Sequence, residues 1–316
     1  SVGFIDGGAS TNWQDEIYNP ANLWKGHFFL KGGDDIATYN VSTGYLSQTG
    51  IMDNSSYSRF NLRINGKVNI SDRFSVTPNA KLSLADSRVG NHGPSVERNP
   101  VAAALMKAPI MDPIARDNAT GEFLTYYDDV GVFNVSNPAA IVNTAMGENR
   151  NYHFLASIKA AYAFNEKFTM SSLFGLNFNN ARETRFLPDL GLVSSDSIYN
   201  SPGEFVNEFR STQNHTTLTY TSRSAGGHSI LANAGFRWMS NSYKFNKSIS
   251  LNTPSDEFKK IQDNAQYPFL RTTIGDDREL VWVSTFVDAH YNFRSKYYLS
   301  ASMAYDASSV TNDLNR

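Results

Sequence analysis

Between Phe60 and Leu84 apolar and polar residues alternate with a period of two. Phe60, Leu62, Ile64, Val68 and Ile70 alternate with Asn61, Arg63, Asn65, Lys67 and Asn69. After Ser71-Asp72-Arg73 the pattern resumes, with Phe74, Val76, Ala80, Leu82 and Leu84 set against Ser75, Thr77, Asn79, Lys81 and Ser83. Successive strand side chains point to opposite faces, so this is a hairpin with one apolar and one polar face. The same count along the chain predicts ten strands, near 26–33, 36–47, 57–70, 74–87, 151–164, 168–179, 212–222, 228–242, 280–293 and 297–308. The seventh, around His215 to Thr221, has the weakest alternation. Most reach ten residues or more, the length a tilted strand needs to cross a bilayer. The predicted fold class is therefore all-β, an antiparallel transmembrane β-barrel segment.

The connections support this. Short turns at Asp34-Asp35, Ser71 to Arg73, Asn165 to Lys167, Arg223 to Gly227 and Arg294 to Lys296 alternate with long links. The long links run from Gln48 to Ser56, Arg88 to Arg150, Asn180 to Ser211 and Tyr243 to Glu279. Membrane barrels sort their connections in this way, with short periplasmic turns and long external loops. Asp72, Glu166 and Ser295 are thus expected on the periplasmic side, and Asn118, Ser195 and Asp256 outside. Large apolar residues flank a basic residue at three of the turns, so Phe74, Phe164, Phe168, Phe293 and Tyr297 are expected to form a periplasmic girdle. Leu62, Ile64, Val76, Leu82, Phe154, Ile158, Phe174 and Val283 are expected to face lipid, with Arg63, Lys67, Lys81 and Lys159 turned to the lumen. Pro78 interrupts its strand and marks either a bulge or a local irregularity.

Composition adds mostly exclusions. Net charge is −2 and gives no global field toward nucleic acid. Cysteine is absent, which removes disulfides and thiolate metal sites. No apolar run is long enough for a transmembrane helix, the longest aliphatic stretch being Val101 to Met106. The histidines at 27, 92, 153, 215, 228 and 290 lack metal-ligand spacing, and no nucleophile-elbow, phosphate-loop or dinucleotide motif occurs. Gly32-Gly33 and Gly226-Gly227 fall at hairpin turns, where positive φ is needed. The acidic pairs Asp34-Asp35, Asp128-Asp129 and Asp276-Asp277 read as solvated turn or loop residues. Neither an enzyme nor a cofactor is expected.

The link from 88 to 150 is long enough to be functional. Within it Val101 to Met106 lies between prolines, and two readings stand: a short helix that packs the loop on itself, or an element that folds over a barrel mouth or docks on a partner. Phe123, Tyr126, Tyr127 and Phe133 with Asp128 and Asp129 are candidate substrate or partner contacts by stacking and hydrogen bonding. Loop packing is the competing account of the same cluster.

Thr11-Asn12-Trp13-Gln14-Asp15-Glu16-Ile17, ahead of the first predicted strand, begins a series of segments that in order resemble the SusC/RagA-type TonB-dependent outer-membrane transporters, where a similar segment precedes an early barrel strand. Gly32-Gly33 through Tyr39, Ser42 and Gly44-Tyr45-Leu46, then Gln48-Thr49-Gly50-Ile51 and Tyr57 to Asn65, continue the likeness. Asn99-Pro100 to Pro109 resembles the family's external loop, and Asp306-Ala307-Ser308-Ser309 its D-G-S-S, with Ala307 departing from the usual Gly.

The resemblance implies that residues 1–316 are part of one barrel domain, roughly the second to eleventh of about 22 strands, with no plug in this chain. It implies import of a bulky nutrient, a glycan or oligopeptide, through the cell outer membrane of a Gram-negative organism. The expected partners are a SusD-like surface lipoprotein, outer-membrane lipid and the TonB complex, the last through an N-terminal part that this chain lacks. No nucleic acid is expected, and a dimer of transporter–lipoprotein pairs is an assembly the family allows. A passive porin, or a structural or adhesin barrel, is the alternative.

Overall fold

The computed structural model describes residues 10–90, 99–117, 119–128, 134–193, 200–257, 259, 261 and 271–310. Ten strands form one antiparallel sheet in chain order. They are β1 (Leu23–Gly33), β2 (Ala37–Thr49), β3 (Ser56–Ser71), β4 (Phe74–Arg88), β7 (Met146–Ala163), β8 (Phe168–Leu187), β9 (Ser201–Arg223), β10 (His228–Ser250), β11 (Arg271–Phe293) and β12 (Tyr297–Ser308). The link between β4 and β7 holds α1 (Pro100–Met106), the small hairpin β5 (Ile114–Arg116) and β6 (Phe123–Tyr127), and α2 (Pro138–Thr144).

All ten predicted strands are present, but several are longer than the alternation suggested. β8 to β11 each have 20 to 23 residues. The weak seventh candidate is the C-terminal half of β9, which begins at Ser201. The reason lies in the added ends, where polar and charged residues occupy both faces and erase the period of two. Cross-strand pairs hold them instead: Arg182 with Glu204, and Lys244 with Asp277 at 3.1 Å. Asp276 and Asp277 are therefore strand residues and not loop residues, Asp276 pairing with Arg278 at 2.6 Å. The third and fourth long links shrink to 188–200 and 251–270.

Pro78 sits opposite Ile158 and causes no bulge in β4. Its ladder to β3 is simply interrupted between Asn65↔Asn79 and Val68↔Val76, and the register shift lies beyond, between Asn69 and Ser71. Of the glycine pairs, Gly33 (φ 142°) and Gly227 (φ 85°) take the positive φ. Arg294 and Ser295 do so as well, at 52° and 55°, forming a tight β11–β12 turn closed by Lys296 N–H donating to Phe293 C=O at 3.0 Å.

Neighbouring short turns are stitched together. Asn69 N–H donates to Ile36 C=O, Ala163 to Arg73, Thr221 to Lys167 and Arg294 to Gly227, all at 2.7–2.8 Å. The turns do not lie level. Followed through the register, the end of β1 at Gly33 stands about ten residues higher along the strands than Tyr297 at the start of β12.

The dry core is not under the sheet. Among the described residues the fully buried apolar side chains are nearly all in the links: Trp13, Ile17, Ala103, Ala104, Ile141, Val142 and Leu192, with Phe186 at the tip of β8. They form two clusters, one joining the segment before β1 to α1 and α2, the other joining these helices to Leu192 of the β8–β9 link. The sheet itself keeps large apolar side chains open, with Phe28 at 59% and Val287 at 53% exposure.

Candidate functional site

The pairing register carries one apolar face across all ten strands. Leu62 pairs with Leu82, Leu82 with Phe154 and Phe154 with Phe178. In a second row Ile158 pairs with Phe174, Phe174 with Asn214, Asn214 with Trp238, and Trp238 with Val283. Ile64 and Val76 share this face through Ala80 and Val68, so the register brings together all eight residues expected to face lipid. Arg63, Lys67, Lys81 and Lys159 lie on the other face.

Aromatic rings line the apolar face at the short-turn end. Phe74 meets Tyr162 at 6.3 Å, Tyr162 meets Phe164 at 5.0 Å, Phe168 meets Tyr220 at 4.8 Å and Phe293 stacks on Tyr297 at 6.4 Å. The five girdle candidates are thus joined by Tyr162, Tyr220 and Tyr291, which the sequence reading did not single out. Each has the right parity beside a turn, and that is the signal that finds them. Charged side chains appear on this face only some way up. From Tyr220 to Arg210 the strand travels ten residues, which at about 38° of tilt is about 27 Å, close to the height of a barrel's lipid-facing band.

The apolar face has one flaw. On β9 it presents Thr216, Asn214 and Thr212, between Phe174 and Leu176 of β8 and Phe236 and Trp238 of β10. The polar atoms of Asn214 and Thr216 are satisfied within the face. Ser172 Oγ and Thr216 Oγ1 are 2.8 Å apart, Asn214 Nδ2 donates to Ser172 Oγ at 3.1 Å, and Thr216 Oγ1 donates to Asn214 Oδ1 at 3.0 Å.

The opposite end is closed over by a cap. Trp13 Nε1 donates to Ala108 C=O at 2.9 Å and Thr11 Oγ1 to Met111 C=O at 2.7 Å. Two Asn-Pro steps start its helices. Asn99 accepts from Val101 and Ala102 N–H, and Asn137 from Ala139 and Ala140 N–H, so each satisfies donors that a helix start leaves open. Asn137, fully buried, also donates to Pro113 and Asp128 carbonyls at 2.8 and 3.0 Å. On α1 Ala103 and Ala104 are buried while Leu105 and Met106 are exposed, so the helix packs the loop and also offers an apolar edge outward.

The aromatic cluster in this link does not form one surface. Along β6 Tyr126 and Tyr127 point to opposite sides. Tyr127 packs against the cluster of Ala103, Ala140, Ile141 and Leu192, and burial raises its pKa. Tyr126 is exposed, and Phe123 is exposed with the Arg116 guanidinium 3.9 Å above its ring. The hairpin tip is pinned by Asp117, whose carboxylate accepts Thr120 and Ala119 N–H and is held below its ordinary pKa by them. Asp128 borders the buried Asn137. Asp129 and Phe133, and the expected external positions Asn118 and Ser195, lie outside the described residues. Among the described residues no group of His, Asp and Glu could hold a metal ion.

A ten-strand antiparallel sheet with one apolar face, aromatics at its short-turn end and long links at the other is a segment of a transmembrane β-barrel. Sequence comparison gives the kind. The chain is 26% identical over 322 residues to TonB-dependent receptor P3 of Formosa agariphila, a match covering 98% of this chain and 30% of that protein. TonB-dependent receptor SusC of Bacteroides thetaiotaomicron is 31% identical over 91 residues, 28% of this chain and 9% of its own. The RagAB peptide transporter has the same fold, with a TM-score of 0.71 at 17% identity over 95% of this chain and 33% of that one. No family model matches. The resemblance to SusC/RagA-type TonB-dependent transporters is therefore borne out over nearly the whole chain, which spans about 30% of the length of the curated relatives it matches most broadly. These relatives are receptors and transporters, not enzymes.

Proposed function

We propose that this chain is part of the barrel of an outer-membrane, TonB-dependent importer of a bulky nutrient, a glycan or an oligopeptide. The observation that carries the reading is the apolar face carried across ten in-register strands, bounded by aromatics at the short-turn end and charges at the other. In this reading that face contacts outer-membrane lipid, the polar face lines the lumen, and the short turns are periplasmic. The 316 residues supply roughly the second to eleventh strands of one barrel domain. A plug and the TonB contact belong to the remainder of the whole protein. The cap, with exposed Leu105, Met106, Phe123 and Tyr126, is the surface offered to solute or to a SusD-like lipoprotein, and pairs of such complexes assemble further.

The test is uptake by cells carrying the full-length protein. Radiolabelled oligopeptide and glycan mixtures should accumulate only when TonB is present. Uptake that persists without TonB would make the barrel a passive pore. Cysteines at Glu166 and Asp256 check the orientation. An impermeant maleimide on intact cells should label Asp256→Cys and spare Glu166→Cys, and the reverse pattern would invert the topology.

A further inference from the structure

The polar face of the sheet is electrically lopsided. Across β1–β4 and β7 it carries Lys25, Lys31, Arg59, Arg63, Lys67, Lys81 and Lys159, and no acidic side chain. The acids within these strands, Asp86 and Glu148, lie on the other face, where they pair with Arg150 and Arg88 at 3.3 Å. None of the seven cations has an ion-pair partner among the described residues. Arg63 and Lys81 are direct cross-strand partners, an arrangement in which like charges repel. Lys25 and Arg59 both flank Leu46, one from each neighbouring strand. These four side chains line one open cavity of about 390 Å³.

On β3 the cations recur at 59, 63 and 67, every fourth residue and about 14 Å apart along the strand. The other half of the sheet differs. There Arg237 lies 4.3 Å over the Phe286 ring, and Asp288 and Asp306 stand on the same face. Asp288 accepts from Asn233 at 2.9 Å.

We propose that this half of the wall binds anions, with Arg63, Lys81, Arg59 and Lys25 taking a carboxylate or sulfate group of an acidic oligomeric solute. The inference rests on the import reading, which makes the polar face the solute's route. A guanidinium presents a planar fork to such groups, and lysine adds a point charge beside it. Two features favour a travelling solute over a fixed carboxylate of the protein. The cavity opens to water, and the cation row continues along β3 beyond it toward the periplasmic end, so each anionic unit that leaves one site meets another. Single exposed contacts of this kind are weak and salt-screened, so binding should need several units at once.

The test uses calorimetry on the detergent-solubilised full-length protein at low salt, with oligogalacturonate and dextran sulfate as probes and neutral dextran of similar length as control. The anionic probes should bind and neutral dextran should not. The double variant Arg63→Gln/Lys81→Gln should lose about tenfold in affinity for the anionic probes. The charge-retaining Arg63→Lys/Lys81→Arg should keep it, and heat-modified gel mobility checks that each barrel is assembled. Equal binding by wild type and the neutral variant overturns the proposal. So does unchanged probe binding together with increased protease cleavage ahead of the barrel in the neutral variant, because the cations then hold the protein's own plug. Failure of TonB-dependent uptake for every solute would instead remove the import reading, so the two failures are told apart.

Discussion

The first five strands of the sheet and the last five obey the same pairing rules but solve different problems. β1–β4 and β7 have 11 to 18 residues and an outer face on which Thr43 is the one small polar side chain below the charged pairs at Asp86 and Glu148. β8 to β11 are longer, rise into paired charges, and carry Ser172, Asn214 and Thr216 on that same face. The outer face of the first group suits lipid because it holds no amide or charge there. That of the second suits it because Ser172, Asn214 and Thr216 are bonded to one another, the condition under which such groups are tolerated away from water.

The largest effect that would break this comparison is a charge in the clean half. Ile64→Arg in the full-length protein should cost about 2–4 kcal/mol in urea-titrated refolding into lipid vesicles. A cost near zero would mean that Ile64 does not meet lipid. A smaller contrast sharpens it. Leu82→Asn should cost about 2 kcal/mol by placing an unbonded amide in an apolar row, whereas Asn214→Leu should change stability by no more than about 1 kcal/mol, since Ser172 and Thr216 still bond each other. Equal losses at both sites would erase the distinction between the halves.

Spin labels at Ile64 and Lys67 should differ in access to a lipid-soluble relaxant, the first being the more exposed, and equal access would reject the two-face reading. Smallest of all, Lys244→Ala should cost less than about 1 kcal/mol, because its pair with Asp277 is largely in water. A loss of several kcal/mol there would show that the extended strand ends are held by something other than an exposed pair.

The same contrast explains what could be read from the chain. Period-two alternation marks a strand only where its two sides meet different solvents, and β3, β4 and β7 meet that condition over most of their length. β9 does not, because Arg210, Thr212, Asn214 and Thr216 put polar groups where the pattern expects apolar ones, so only its C-terminal half, with Leu218 and Tyr220, was legible. The upper ends of β8 to β11 have water on both sides, and nothing periodic is left to see. In the cap, Trp13 and Ile17 carry no periodicity at all, and their burial follows from residues far along the chain, Met52, Ala104, Ala108 and Val142. One signal was available and went unused. Asn137-Pro138 followed by Ala139-Ala140-Ile141-Val142 repeats the Asn99-Pro100 pattern and announces α2 by its N-cap. The direction of Tyr127 followed from strand parity once β6 existed, but the existence of β6 did not.

The uneven level of the short turns has a consequence for the shape of the mouth. A stagger of about ten residues over ten strands, at 3.4 Å per residue and 4.8 Å between strands, tilts the strands by about 38°. At that angle the 23 residues of β11 climb about 62 Å, and the 11 of β1 only about 29 Å. With about 25 Å taken by the lipid band, one side of the rim is a parapet and the other scarcely clears the membrane. The cap is built from the chain before β1 and the β2–β3 and β4–β7 links, and Leu192 ties it to the β8–β9 link, so it stands mainly on the low side and reaches the foot of the high one. An arriving molecule would meet a stiff wall along β8 to β11 and a folded shoulder along β1 to β7.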